Sequence, residues 1–392
     1  MKHNDNLIIS QEFESDYSYF GAANPPIAQS SLYAFETYEK YIEASQNGEK
    51  DNFIYSRGNN PTLELLERKL AALEQTEKAK VFSSGMGAIS SSLIALLESG
   101  DHVLVINHVY GYGPSLLNFL SRYGVSFTQV FSSDLETIEK EIKDNTKVIF
   151  FESPSSTMMK ILDIKAICSL AKKNNCYTIF DNSVNTPLVT KASNLGVDIV
   201  INSMSKYISG HSDVVAGVAC TTEELHSKIF KFGHQLFGAV LGPHEAYLVL
   251  RGMRTLPARL AYQQQNFKTV LEFLKKNKNI KNINHPLVYE GETKAICEKQ
   301  MNGYTTLFSF ELATDNFEKI KTFVNELKHF QIAASWGGHE SLVRPVYKGF
   351  NAKELEEEKF PLSLIRMYIG SEDPNSLIAD IEQALKKMEQ TI

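Results

Sequence analysis

Residues 197–213, VDIVINSMSKYISGHSD, hold the segment on which the reading of this chain turns. The apolar run VDIVI reads as a buried strand. Just beyond it stands Lys206, flanked by the hydroxyls of Ser203 and Ser205. Lysine is ordinarily a solvated surface cation. One placed at the end of a buried strand, among small hydroxyl, glycine and imidazole-bearing residues, is positioned for chemistry.

Outward from this segment, strand-like runs recur at 79–83, 102–106, 127–131, 147–151, 177–181, 198–202 and 214–220. Helical patterns lie between several of them, as at 86–97 and 162–173. Before the first strand, Leu63, Leu66, Leu70 and Leu73 share one helical face after Pro61-Thr62. This alternation predicts an α/β fold with a mainly parallel, seven-stranded sheet flanked by helices, and ligands at the C-terminal strand ends. Beyond residue 255 the pattern changes: a helix near 258–276, TTLFSFELA at 305–313, a helix near 316–327 and LIRMYIG at 364–370. Asp373-Pro374 caps a last helix that buries Leu377, Ile381 and Leu385. Three regions are expected: an N-terminal segment 1–60, polar and loop-like; a large domain 61–255; and a smaller C-terminal α/β domain 256–392. The acidic run 353–360 reads as a solvated helix or loop.

The composition is that of a globular protein. Of 392 residues 43% are apolar and 22% charged, and a formal net charge of −6 without long basic runs argues against a nucleic-acid ligand. Cys168, Cys176, Cys220 and Cys297 show no CxxC spacing, which suggests neither zinc nor a disulfide framework. With no signal-peptide core and no apolar span of membrane length, a soluble cytoplasmic setting is expected.

Two further strand ends join Lys206. FSSGMGAI (82–89) turns from strand to helix through small residues, exposing backbone N–H groups that suit a phosphate. YTIFD ends on Asp181, a carboxylate able to cap a turn or to hold a protonated ring nitrogen. A lysine, a strand-end aspartate and a phosphate cradle together point to pyridoxal phosphate. The lysine amine takes the cofactor aldehyde, Asp181 keeps the ring nitrogen protonated, and Ser203, Ser205 and the helix N-terminus hold the phosphate.

SMSKYISGHSDVVAG (203–217) closely resembles the lysine signature of the Cys/Met-metabolism family of pyridoxal-phosphate enzymes, with Ser205 in place of the usual threonine. The family includes cystathionine γ-synthase, cystathionine β- and γ-lyases and methionine γ-lyase. The resemblance implies a fold-type I architecture and extends along nearly the whole chain. YSRGNNPT (55–62) resembles the segment whose Tyr55 and Arg57 would reach the cofactor phosphate of a neighbouring subunit, with Tyr55 also near substrate. A homodimer with shared active sites, and from it a tetramer, is therefore implied. SSGMGAI places the Gly85 and Met86 amides on the phosphate, and Asp181 matches the ring-nitrogen partner. SWGG and LIRMYIG resemble the pair receiving the substrate carboxylate through Ser335 and Arg366, whose guanidinium fork suits that group. The family stacks a tyrosine on the ring and uses it in proton transfer. Spacing from Gly100 favours Tyr110 and the local Tyr-Gly-Pro-Ser pattern favours Tyr112; Tyr110 is taken.

The resemblance implies a lyase or synthase acting on a small amino acid, with no metal. His211 and Asp213 read as loop-fixing groups, Met158 and Met159 as core, and Trp336 as packing with a possible contact to the substrate's distal part. Two departures lean toward α,β-elimination of cystathionine or a related cysteine S-conjugate. ESPSSTMM (152–159) has Ser156 where γ-acting members carry an asparagine, and SWGG replaces Leu-Gly-Gly. YSRGNNPT follows the γ-enzyme form, so γ-elimination or γ-replacement on cystathionine, methionine or an activated homoserine is the alternative.

Overall fold

The computed structural model describes residues 4–48 and 50–391. Its larger sheet is built from β1 (Lys78–Phe82), β2 (His102–Ile106), β3 (Ser126–Val130), β4 (Thr146–Glu152), β5 (Tyr177–Asp181), β6 (Ile199–Ser203) and β7 (Gly217–Thr221). The strand order is β1-β7-β6-β5-β4-β2-β3, with β7 antiparallel to both neighbours and the other pairings parallel. Strands buried on both faces read as near-continuous apolar runs, which is why six of the seven stand out in the sequence; the edge strand β3 is partly exposed and its run is mixed. One start is displaced: Val214 and Val215 extend the apolar run, but β7 begins at Gly217 and Val215 is 65% exposed.

The expectation of a loop-like N-terminal segment is corrected within the described residues. Residues 1–3 and 49 of that segment lie outside them. Helix α1 (Asp5–Ser10) is capped by Asn4 and buries Ile8 and Ile9, and α2 (Tyr38–Asn47) is capped by Thr37. The six residues of α1 are stable by packing, since so short a helix has no stability of its own. Lys69 reaches from α3 (Pro61–Glu74), donates to the carbonyls of Ile8 and Ile9, and pairs with Glu14. Helix α3 itself begins on the Asn60 cap with Pro61 in its first turn.

Helix α4 (Gly85–Leu96) follows β1 directly, capped by Ser84 through the Gly87 N–H at 2.9 Å. Its N-terminus thus lies over the C-terminal edge of the sheet, beside β7 and β6. Close approach is enforced at Gly217, where a methyl group would strike the Ser84 carbonyl.

A second sheet contains β8 (Ile280–Asn284), β9 (Leu307–Leu312), β10 (Gln331–Ile332), β11 (Leu342–Pro345) and β12 (Leu364–Tyr368), ordered β10-β11-β12-β9-β8. It has its own core of Phe267, Phe308, Phe310, Phe323, Ile365, Leu377 and Ile381. Helix Pro374–Gln390 is capped by Asp373 as expected. A further cluster, including Met159, Tyr207, Trp336, Leu342 and Tyr368, fills the seam between the two sheets. The acidic run folds as helix Ala352–Glu357, and it is anchored rather than wholly solvated: Leu355 is buried, and Phe360 beyond it stacks on His108 with ring centroids 4.2 Å apart. Among the described residues no helix is long and apolar enough to cross a membrane.

Candidate active site

A cavity of about 400 Å³ opens at the C-terminal edge of the larger sheet. Lys206, Asp181, Ser203, Ser205, Gly85, Met86, Tyr110 and Ser335 all line it. Residues far apart in sequence meet there because β5 and β6 end side by side, β1 ends one strand further on beyond β7, and the Ser335 loop of the smaller sheet closes over them.

Lys206 sits on a tight turn after β6, its N–H donating to the Ser203 carbonyl at 3.2 Å. The Nζ donates to Ser335 Oγ at 2.7 Å and lies 4.7 Å from the centroid of the Trp336 ring. Gly337 makes this approach possible: it has φ +85°, and a side chain there would meet the Lys206–Tyr207 backbone. Burial, reinforced by the positive charge of Arg366 and opposed by Asp181, brings the lysine from 10.5 down to about 8. An amine at that value is partly neutral near physiological pH, which a nucleophile or base requires.

Asp181 accepts the Ser183 N–H at 2.9 Å, and burial pushes its carboxyl above the usual range despite that bond and the Lys206 charge. The Ser203 N–H donates to the Ser183 hydroxyl at 2.6 Å, while the Ser205 hydroxyl braces the backbone of Ala216. Tyr110 is the tyrosine that lines the cavity; Tyr112 opens the following helix, Tyr112–Leu120, and is more exposed. Burial raises the Tyr110 phenol, helped by Tyr112 and Asp181.

Arg366 comes from the middle of β12 and is only 4% exposed. Its Nη1 donates to the Ser156 carbonyl at 3.3 Å, its guanidinium carbon lies 5.1 Å from the Trp336 centroid, and its Nη2 has no partner. Burial and Arg344 lower it to about 9. Trp336 therefore has two cations against its ring, Lys206 and Arg366. Such contacts are electrostatically favourable, and Trp336 is part of the cavity wall as well as packing. His211 holds its loop by a 2.6 Å contact from Nδ1 to the Ser209 carbonyl. Met158, Met159 and the four cysteines are buried.

Tyr55 and Arg57 are not brought into this cavity. They line a separate depression with Ser30, Val240 and Pro243, with Tyr55 45% exposed and Arg57 5.6 Å from its ring centroid. Glu152, unremarked in the sequence, is the residue missed. It ends β4, is 2% exposed and lines the cavity. The signal was available, since it closes an apolar strand just as Asp181 does.

The residues fit pyridoxal phosphate. Glycine and small serine residues leave the first N–H groups of α4 open to an anion, a buried carboxylate shares the cavity with a half-buried amine, and an aromatic residue lies at the rim. When bound, that group stores the electron pair left by removing a proton from the amino-acid α-carbon.

The model of the Cys/Met metabolism PLP-dependent enzyme family matches residues 5–386. L-methionine gamma-lyase of Fusobacterium nucleatum subsp. nucleatum is 38% identical over 381 residues, covering 94% of this chain and 95% of that protein. Cystathionine beta-lyase of Bacillus subtilis is 37% identical over 396 residues, covering 99% and 98%. The crystal structure of cystathionine gamma synthase from Xanthomonas oryzae pv. oryzae, in complex with aminoacrylate and cysteine, superposes with a TM-score of 0.91 at 29% identity over 99% of each chain. With the lysine turn, the strand-end carboxylate and the α4 cradle in one cavity, and with likeness over the full length, the chain belongs to the Cys/Met metabolism PLP-dependent enzymes and is a pyridoxal-phosphate-dependent carbon–sulfur lyase of the trans-sulfuration group.

Proposed function

We propose that the chain catalyses α,β-elimination of cystathionine or a related cysteine S-conjugate, giving a thiol, pyruvate and ammonia. The observation that supports this is the restraint on Lys206, whose amine is bonded to Ser335 and rests on Trp336. β-Elimination needs one proton removed, from the α-carbon, and a base held at one position suits it. γ-Elimination needs a second removal at the β-carbon, which a base free to travel serves better. In this reading Arg366, buried behind the Trp336 ring rather than in the cavity lining, binds the substrate carboxylate through its unpartnered Nη2, and Ser335 orients the lysine. Lys206 takes the α-proton, Tyr110 assists at the leaving group, and Asp181 supports the cofactor ring. The Gly85 and Met86 amides, with Ser203 and Ser205, receive the phosphate.

γ-Elimination or γ-replacement is the second reading, favoured by the 38% identity to an L-methionine gamma-lyase. Mass spectrometry of products from L-cystathionine separates the two. Homocysteine with pyruvate is expected; cysteine with 2-oxobutyrate would overturn the β-assignment.

We also infer that residues 1–60 reach a neighbouring subunit, that the units at 61–255 and 256–392 fold as large and small domains, and that the assembly is a dimer paired into a cytoplasmic tetramer. The exposure of Tyr55 and Arg57 away from their own chain's cavity supports the exchange. An Arg57→Ala chain mixed equally with a Lys206→Ala chain should regain about a quarter of wild-type activity, because about half the dimers are mixed and each of those holds one intact site of its two. Verified mixed dimers without activity would refute the sharing.

A further inference from the structure

Glu152 and Asp181 occupy the same level of the sheet. They end adjacent parallel strands in direct register, so both side chains face the same side. Both line the cavity, and they are 2% and 6% exposed. Two carboxylates so placed cannot both ionise cheaply. Asp181 has the support for charge: the Ser183 N–H at 2.9 Å and the Lys206 ammonium. Glu152 has less. Its Oε2 has no partner, and the hydroxyl and N–H of Ser156 are the nearby donors that favour its charge. The Ser156 carbonyl in turn accepts from Arg366 Nη1.

We propose that Glu152 is a positioning residue for the amino-acid carboxylate: it fixes the Ser156 turn that holds Arg366, and it does so as an uncharged acid, leaving the negative charge of the strand-end pair on Asp181. The chain of contacts runs from β4 through Ser156 to β12, and thus couples the two sheets at the point where the substrate is anchored. Burial first, and then the Asp181 charge, push the Glu152 carboxyl well above the ordinary range, with Ser156 and Arg366 opposing. This assigns a use to Ser156, the position where the sequence departs from the asparagine of related enzymes. Its backbone serves Arg366 while its two donors serve Glu152.

The inference rests on the carboxylate role of Arg366 given above, and the test separates the two. The probe is glycine, an amino acid without a leaving group, titrated against cofactor-loaded protein by the visible absorbance of the bound cofactor. Glu152→Ala leaves the Ser156 donors unpaired, so glycine binding should weaken about tenfold, the value of roughly one hydrogen bond. Glu152→Gln, uncharged and of the same shape, should recover glycine binding to within about threefold of wild type. It should also leave the pH midpoint of the absorbance band in place, because no charge has been removed. A midpoint lowered by more than about half a unit in Glu152→Gln would reveal an ionised Glu152 and overturn the proposal. So would glycine binding as weak in Glu152→Gln as in Glu152→Ala, or unchanged in Glu152→Ala. Should Glu152→Ala fail to fold by circular dichroism, Glu152→Gln alone decides, and a tenfold loss there refutes the uncharged role. Arg366→Lys is the control. If it binds glycine as wild type does, the carboxylate role of Arg366 fails and the inference with it; if only the Glu152 variants are silent, the inference fails alone.

Discussion

Lys206→Ala is expected to lower turnover of every substrate by at least about 10⁴-fold, the combined loss of a nucleophile and a general base. The Lys206 side chain is the amine lining the cavity, and neither Ser335 nor Tyr110 can replace it as an acceptor of the α-proton. Cofactor should still enter, held by Asp181 and the α4 N-terminus, but without a covalent bond. Borohydride treatment should therefore fix cofactor to the wild type and not to the variant. Turnover within about tenfold of wild type would remove Lys206 from its role. The same amine predicts a pH dependence. The neutral form attacks the cofactor aldehyde, so the rate of cofactor capture by the cofactor-free protein should rise with pH and level off above about 8. A rise centred instead near the ordinary 10.5 would mean that burial does not act on this amine as the structure implies.

Arg366→Leu should reduce kcat/KM by about 10²- to 10³-fold while leaving cofactor binding unchanged. The guanidinium is buried, donates Nη1 to the Ser156 carbonyl, and leaves Nη2 buried without a partner. An unpartnered donor of that kind is costly unless a ligand completes it. The loss should fall mainly on KM for the amino acid, because anchoring precedes chemistry. Values of kcat/KM within about threefold of wild type would show that the substrate carboxylate binds elsewhere.

Six strands of the larger sheet were legible because they are short and almost wholly buried, so that each reads as an apolar run ended by a turn, while the edge strand β3 is partly exposed and carries a mixed run. Lys206, Asp181 and the α4 turn were legible for the same reason, since a polar residue closing such a run stands out. Glu152 closes one too, but no separate motif drew the eye to it. The five-stranded sheet was half legible. β9 and β12 are buried, whereas β8 and β10 are partly or fully exposed and carry no such run. Helices α1 and α2 were missed because neither offers a full apolar stripe; α1 buries two residues and α2 only Ala44. That Trp336 carries two cations on its ring was beyond sequence reasoning, because it depends on the smaller sheet closing against the larger.

The seam between the sheets has a thermodynamic consequence. Polar links cross it at several points: the Thr306 N–H donates to the Tyr207 hydroxyl at 3.2 Å, Trp336 Nε1 to the Ser183 carbonyl at 3.4 Å, the Tyr289 hydroxyl to the Met159 carbonyl at 2.8 Å, Lys206 to Ser335, and Arg366 to Ser156. In the binding mode proposed above, an amino acid held by the Lys206 turn at one end and by Arg366 at the other would be a tie across that seam. Occupancy then does more than raise the melting temperature by mass action. It adds to the links already joining the two cores, so that they yield more nearly as one cooperative unit.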